Sequence, residues 1–170
     1  MGALARAITY ASFFVGFLLV FLPARVLTWS GIRPPPTIAL PQVAGLVVGL
    51  AGAVFALSCI LTFALVGTGT PAPFDPPRRL VTAGPYRYLR NPMYLGAGLA
   101  LLGAALYYRS LALLAYMAGF MLVAHVFVVS YEEPTLRRLF GSAYKVYCAQ
   151  TGRWLPRNAR GSAPAQSGSA

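Results

Sequence analysis

The sequence predicts an all-α integral membrane protein with about four transmembrane helices and a C-terminal amphipathic helix at the membrane surface. Three observations predict it. Hydrophobic residues make up 58% of the chain and charged residues 10%, where roughly 25% charged is usual in a soluble domain. The apolar residues gather into four segments, residues 7–22, 38–66, 93–108 and 111–131. The cations fall almost entirely on one side of those segments.

The first segment holds 16 apolar residues between Arg6 and Pro23. The same features also fit a signal peptide, with Pro23-Ala24 after the apolar core. The second and fourth segments run 29 and 21 residues without a formal charge. At about 1.5 Å per residue, both can cross a hydrocarbon core of about 30 Å. The third, like the first, has 16 residues, so flanking residues complete the span or the bilayer thins around it. Small residues four apart, Gly45, Gly49 and Ala53 in the second and Gly96, Ala100 and Ala104 in the third, let helix backbones approach closely. The short link Arg109-Ser110 makes the third and fourth segments an antiparallel hairpin.

Beyond Tyr131 the pattern changes. Leu136, Leu139, Phe140, Ala143, Tyr144 and Tyr147 recur at helical spacing, while Arg137, Arg138 and Lys145 occupy other faces. That is an amphipathic helix suited to the headgroup region. Residues 158–170 are Gly, Ser, Ala, Pro, Gln and Asn with one arginine, a composition that favours disorder. The chain therefore reads as one membrane domain, residues 1–157, with its motif-bearing part at 67–157 and a tail after it.

With both ends placed in the cytoplasm, Arg6, Arg78, Arg79, Arg87, Arg90, Arg137, Arg138, Lys145, Arg153, Arg157 and Arg160 lie inside. Only Arg25, Arg33 and Arg109 lie outside, as the positive-inside rule requires. The net charge of +11 then calls for no nucleic acid; attraction to anionic headgroups accounts for it. Arginine supplies thirteen of the fourteen cations, a usage associated with GC-rich genomes, which points to a bacterial inner membrane. Cys59 lies within a span and Cys148 near the cytoplasmic end, which argues against a disulfide or a metal site. No feature of the sequence requires a protein partner.

The 67–92 loop carries six of the fourteen prolines, which exclude a long helix there. Gly67-Thr68-Gly69-Thr70 is not a dinucleotide-binding turn, because it follows a membrane helix and Pro71 and Pro73 forbid the helix that should come next. The loop ends in Gly84-Pro85-Tyr86-Arg87-Tyr88-Leu89-Arg90-Asn91-Pro92-Met93-Tyr94-Leu95-Gly96. Across the next hairpin, and on the same membrane side, stand Glu132 and Glu133. At the end of a membrane helix the dipole disfavours carboxylates. Two readings follow. Glu133 pairs with Arg137 and Glu132 with a loop arginine, anchoring the helix, or one of them binds a ligand ammonium. His125, two helical turns before Glu132, is an ionisable group within a span and so a functional candidate; a hydrogen-bonded packing role is the equal alternative.

These residues resemble the signature of the isoprenylcysteine carboxyl methyltransferase and phospholipid methyltransferase superfamily. The likeness lies in the 84–96 pattern, in Glu132-Glu133-x-x-Leu136-x-x-x-Phe140-Gly141-x-x-Tyr144-x-x-Tyr147, and in Arg153-Trp154-x-Pro156. It covers about residues 67–157. The resemblance implies a membrane-embedded S-adenosyl-L-methionine methyltransferase without a Rossmann domain. By resemblance and position, Asn91, Pro92, Tyr94, His125, Glu132 and Glu133 are assigned to the cofactor. Arg90, Tyr144 and Arg153 are assigned to binding or orienting the methyl acceptor. Family members often have histidine where this chain has Asn91; asparagine still hydrogen-bonds but does not titrate, so proton transfer there is excluded.

The residue types fit that chemistry independently. A glutamate can hold the ammonium of S-adenosylmethionine, an arginine its carboxylate, and tyrosine faces its sulfonium. Methyl transfer to a carboxylate needs positioning more than acid–base catalysis, whereas an amine must first lose its proton, giving Glu132 or His125 a base role. The expected acceptor is lipophilic and enters from the bilayer. An isoprenylcysteine carboxylate comes first, with phospholipid amines and small hydrophobic thiols or acids as alternatives. A non-catalytic structural or transport protein is the reading of another class; a transporter usually shows repeats, and none is evident.

Overall fold

A computed structural model of the chain describes residues 16–67 and 79–157. The start of the first apolar segment, residues 68–78 of the proline-rich loop, and the 158–170 tail lie outside the described residues. Among those described, the architecture is all helical, with no strand beyond an isolated bridge between Leu89 and Gly152.

A π-helical stretch, Gly16–Phe21, leads into α1, Leu22–Trp29. Gly31 turns the chain at φ 65°, and α2, Leu40–Val66, follows. α2 starts where Pro41 fills its first turn and Gln42 Oε1 accepts the Ala39 N–H at 3.1 Å. The same side chain donates through Nε2 to Tyr107 O at 3.3 Å. That bond ties the start of α2 to the end of α3, Pro92–Tyr108.

α2 and α3 run antiparallel along a seam of small residues. Gly45 faces Gly103 and Tyr107, Gly49 faces Gly103, Gly52 faces Gly96 and Ala100, and Ala56 faces Gly96. A Cβ on Gly52 would sit 2.5 Å from the Ala100 nitrogen and 2.7 Å from the Gly96 oxygen, so backbone alone fits there. The seam corrects the four-apart ridges read from sequence, because Gly52 and Gly103 replace Ala53 and Ala104. Steps of four residues advance about 400° at 3.6 residues per turn and drift off one face. Alternating steps of four and three, as in 45, 49, 52 and 56, stay on it.

α3 ends at Arg109, held at φ 50°, ψ 43°. Ser110 Oγ then caps α4, Leu111–Phe127, by accepting the Leu113 N–H at 3.1 Å. The hairpin predicted at Arg109-Ser110 is therefore present. α1 leans on α4, and the Tyr116 hydroxyl of α4 donates to Leu18 O in the preceding π-helical stretch at 2.8 Å.

The fourth apolar segment does not stop at Tyr131. It passes through a π turn, Val128–Glu132, into α5, Glu133–Gln150. The reason is Pro134, which has no N–H for the carbonyl four residues back and whose ring crowds it. Widening the turn just before Pro134 lets the helix continue. The predicted amphipathic face is also only partly observed. Tyr144 and Tyr147 are buried and Leu136 and Phe140 half-buried, but Leu139 and Ala143 are exposed. Gly141, at φ 51° and ψ −119°, bends α5 between them.

Two helices are long and apolar enough to cross a membrane, Leu40–Val66 and the continuous Leu111–Gln150; Gly16–Trp29 and Pro92–Tyr108 are apolar but shorter. Gly52→Val should destabilise the protein by about 3 kcal/mol through overpacking of the seam. Gly119→Ala, where an added Cβ meets nothing within 4 Å, should be neutral or stabilise by up to about 1 kcal/mol. Thermal unfolding in detergent followed by circular dichroism compares the two.

Candidate active site

The 84–96 motif meets the C-terminal part of the chain residue by residue. Its first turn is a 3₁₀ helix, Gly84–Arg87. Tyr86 points inward and is buried with Cys59 and Val81, against Phe55, Phe63 and Met93. The Tyr147 hydroxyl donates to Tyr86 O at 2.7 Å and more weakly to Leu89 O at 3.4 Å. Arg90 N–H donates to Gly152 O at 2.9 Å beside the Leu89–Gly152 bridge. Asn91 is buried, and its Nδ2 donates to Arg153 O at 3.3 Å. Pro92 fills the first turn of α3 and is also buried.

The two adjacent glutamates have opposite surroundings. Glu133, buried, is gripped by Arg153 through Nε–Oε1 at 2.7 Å and Nη2–Oε2 at 2.9 Å. Arg90 Nη1 adds a third contact to Oε1 at 3.1 Å. Burial alone would raise the Glu133 carboxyl, but the Arg153 hydrogen bonds and the charges of Arg90, Arg153 and Arg137 outweigh it and hold it below its ordinary value. Glu132 forms no ion pair among the described residues. Among those residues its Oε2 accepts only the Tyr94 hydroxyl, at 3.3 Å. Though partly accessible, it is dry enough that burial pushes its carboxyl from 4.5 up to about 7; the Tyr94 hydroxyl opposes the shift and Glu133 adds to it.

Arg90 also reaches Cys148 Sγ at 3.1 Å, while its buried Nε has no partner among the described residues. Tyr144 is buried, and burial followed by the neighbouring Cys148 raises its hydroxyl above the usual range. Arg137 lies over its ring, 6.0 Å from the centroid.

Arg90, Asn91, Pro92, Tyr94, Glu132, Glu133, Tyr144 and Arg153 are thus drawn into one neighbourhood, joined through Tyr147, Cys148 and Gly152. Two pairings read from sequence are corrected. Glu133 pairs with Arg153 and Arg90, and Glu132 takes a tyrosine in place of a loop arginine. Glu133 and Arg153 spend their polar atoms on each other, which suits them to holding the site together. The expectation that His125 shares a face with Glu132 meets the π turn, which changes the register between them. His125 is exposed and its Nδ1 accepts Trp154 Nε1 at 3.0 Å. Cys148 and Gly152 carried no signal in the sequence; Tyr147 did, by its spacing from Tyr144.

The two glutamates predict opposite pH responses. Glu133 contributes stability above about pH 4.5 that disappears as pH falls through its lowered value. Glu132 favours its protonated form in the fold, so its contribution is full below pH 4.5 and fades as pH rises to about 7. Glu133→Gln should cost about 3 kcal/mol at neutral pH by leaving two arginines facing each other. Glu132→Gln should stabilise the protein at pH 8 and abolish the decline between pH 4.5 and 7. Unfolding midpoints measured from pH 4 to 8 check both.

No curated protein and no solved structure matches the chain. A family model described as phospholipid methyltransferase matches residues 40–143, more than half of the sequence and most of α2 through α5. That span contains the small-residue seam, the 84–96 motif and both glutamates. The chain belongs to the phospholipid methyltransferase family, within the superfamily of integral membrane methyltransferases.

Proposed function

We propose that this chain is an S-adenosyl-L-methionine-dependent methyltransferase, embedded in a bacterial inner membrane by four spans. Its α5 helix lies at the cytoplasmic surface, both ends are cytoplasmic, and a lipophilic acceptor enters from the bilayer. Family membership supports a methyltransferase, and the charge asymmetry supports the orientation. The observation that carries the cofactor assignment is the contrast at the glutamate pair. Glu133 is paired with two arginines, whereas among the described residues Glu132 has a tyrosine and no cation.

A dry carboxyl without a cation suits an ammonium, so Glu132 would hold the amino group of the cofactor, with Tyr94 orienting it. When bound, S-adenosylmethionine supplies an electrophilic methyl on a sulfonium. The residues around it position the two reactants in line and exclude water. Asn91 steadies the site through Arg153 O, and Pro92 fixes the start of the helix that carries Tyr94.

For the acceptor, the pairing of the arginines favours a lipid amine over an isoprenylcysteine carboxylate. Arg90 and Arg153 are the cations that would receive a carboxylate, and both are engaged by Glu133. A carboxylate acceptor would therefore meet no uncommitted cation among these residues, whereas a lipid amine, which gives up its proton to solvent before it is methylated, needs none.

Purified protein in lipid nanodiscs should bind S-adenosylmethionine by calorimetry. Glu132→Gln should weaken that binding at least tenfold at pH 8, about 1.4 kcal/mol. Because an ammonium prefers the ionised carboxylate, wild-type affinity should rise as pH climbs to about 7, and the rise should be lost in the variant. No binding at hundreds of micromolar would sink the reading. Labelled methyl offered to extracted lipids and to a farnesylcysteine analogue should enter the lipid fraction; label on the analogue would establish the carboxyl reading instead.

A further inference from the structure

Residues 151–154 leave the end of α5 and double back across the helix they came from. Gly152 O receives the Arg90 N–H, Arg153 reaches Glu133, and Trp154 reaches His125, with ring centroids 6.1 Å apart. Glu133 and His125 lie on either side of the π turn Val128–Glu132. Two neighbours in sequence, Arg153 and Trp154, therefore grip the same helix before and after this wide turn.

A π turn holds one residue more than the α-helical turn it replaces. Here the Glu133 N–H bonds to Val128 O, five residues back. Gaining or losing that residue turns everything after it by roughly 100° relative to what precedes it, and moving it along the helix turns the residues it passes by the same amount. Glu132 is the last residue of the turn, and its 3.3 Å contact with Tyr94 on α3 would not survive such a rotation. Pro134 explains why the helix must be interrupted nearby, but not which residues form the wide turn or which way Glu132 faces. Ser130 Oγ, bonded back to Val126 O at 2.6 Å, bends the same stretch without choosing a register.

We propose that Trp154 and His125 are positioning residues: their hydrogen bond closes a clasp, completed by Arg153 and Glu133, that sets the π turn in the register presenting Glu132 to Tyr94. Its consequence for cofactor binding rests on the function proposed above. The clasp itself does not, because the state of Glu132 can be read directly. The groups facing Glu132 are Tyr94 from α3, Tyr86 from the 3₁₀ turn, Tyr147 from α5 and the adjacent Glu133. None of them is substituted in the variants below.

The chain contains Glu132 and Glu133 as its only glutamates. Carbon-13 labelling of the glutamate carboxyls therefore gives two resonances in nanodiscs, assigned with Glu132→Gln. In the wild-type protein the Glu132 signal should titrate near pH 7. Trp154→Phe keeps a ring and removes the donor, and His125→Leu removes the acceptor. Each should lower the Glu132 midpoint by at least one pH unit, while His125→Gln, which can still accept, should restore it. The affinity for S-adenosylmethionine at pH 8 should fall at least fivefold in the first two and recover in the third. If Trp154→Phe does not fold, His125→Leu reads the same bond from its other end. An unmoved Glu132 midpoint in His125→Leu, or an equal shift in His125→Gln, overturns the clasp and leaves Pro134 as the sole determinant of the turn. A lowered midpoint with unchanged cofactor affinity upholds the clasp and refutes Glu132 as the ammonium site.

Discussion

Two guanidinium groups do not share a partly buried space unless an anion lies between them, and Glu133 is that anion. Arg90 comes from the loop entering α3, Arg153 from the segment after α5, and Glu133 from the first turn of α5 itself. In low dielectric, attraction at about 3 Å is strong but so is the cost of desolvating each charge. The balance turns favourable because Arg153 meets the carboxylate with two donors and Arg90 adds a third. Three pieces of chain far apart in sequence are fixed together, and the remaining contacts between the motif and the C-terminal part follow. Tyr147, Asn91 and Gly152 are then close enough to bond across.

That arrangement divides labour between adjacent residues of the same type. Glu133 is held ionised by its arginines, and its charge is locally cancelled. Glu132, one position earlier, receives none of that compensation and sits beside a phenol. A single carboxylate could not both anchor the arginines and remain available to a cationic ligand. Doubling the glutamate lets one carboxylate bind the two arginines of the junction while leaving a second acidic group in reserve.

Much of this was legible in the sequence. The helical hairpin, the charge asymmetry and the convergence of the 84–96 motif with the glutamate pair follow from apolar runs, turn residues and counting. The rest was not, for identifiable reasons. Which glutamate takes which partner depends on Arg153, twenty residues from Glu133, and no periodicity predicts a contact across a reversal of the chain. The apolar segment ending at Tyr131 looked like the end of a helix because charge begins there. Pro134 could have warned that the backbone needed a wide turn, and the π turn in turn moved His125 off the expected face. The seam was misread by one residue per helix because identical four-residue steps look more regular on paper than the alternating steps that a real helix pair requires.

The seam between α2 and α3 also sets how freely this protein can change. On its inner side Gly45, Gly52 and Gly103 face backbone with no room for a methyl group, so nearly every substitution there is excluded by shape. On its outer side Leu46, Leu50, Val54, Leu57 and Leu61 are exposed to an environment that demands only apolarity, and one aliphatic residue serves as well as another. Mutational tolerance is therefore split lengthwise down a single helix. A comparison of variants along this helix would find glycine frozen at two positions seven residues apart within a background of interchangeable leucine, valine and isoleucine.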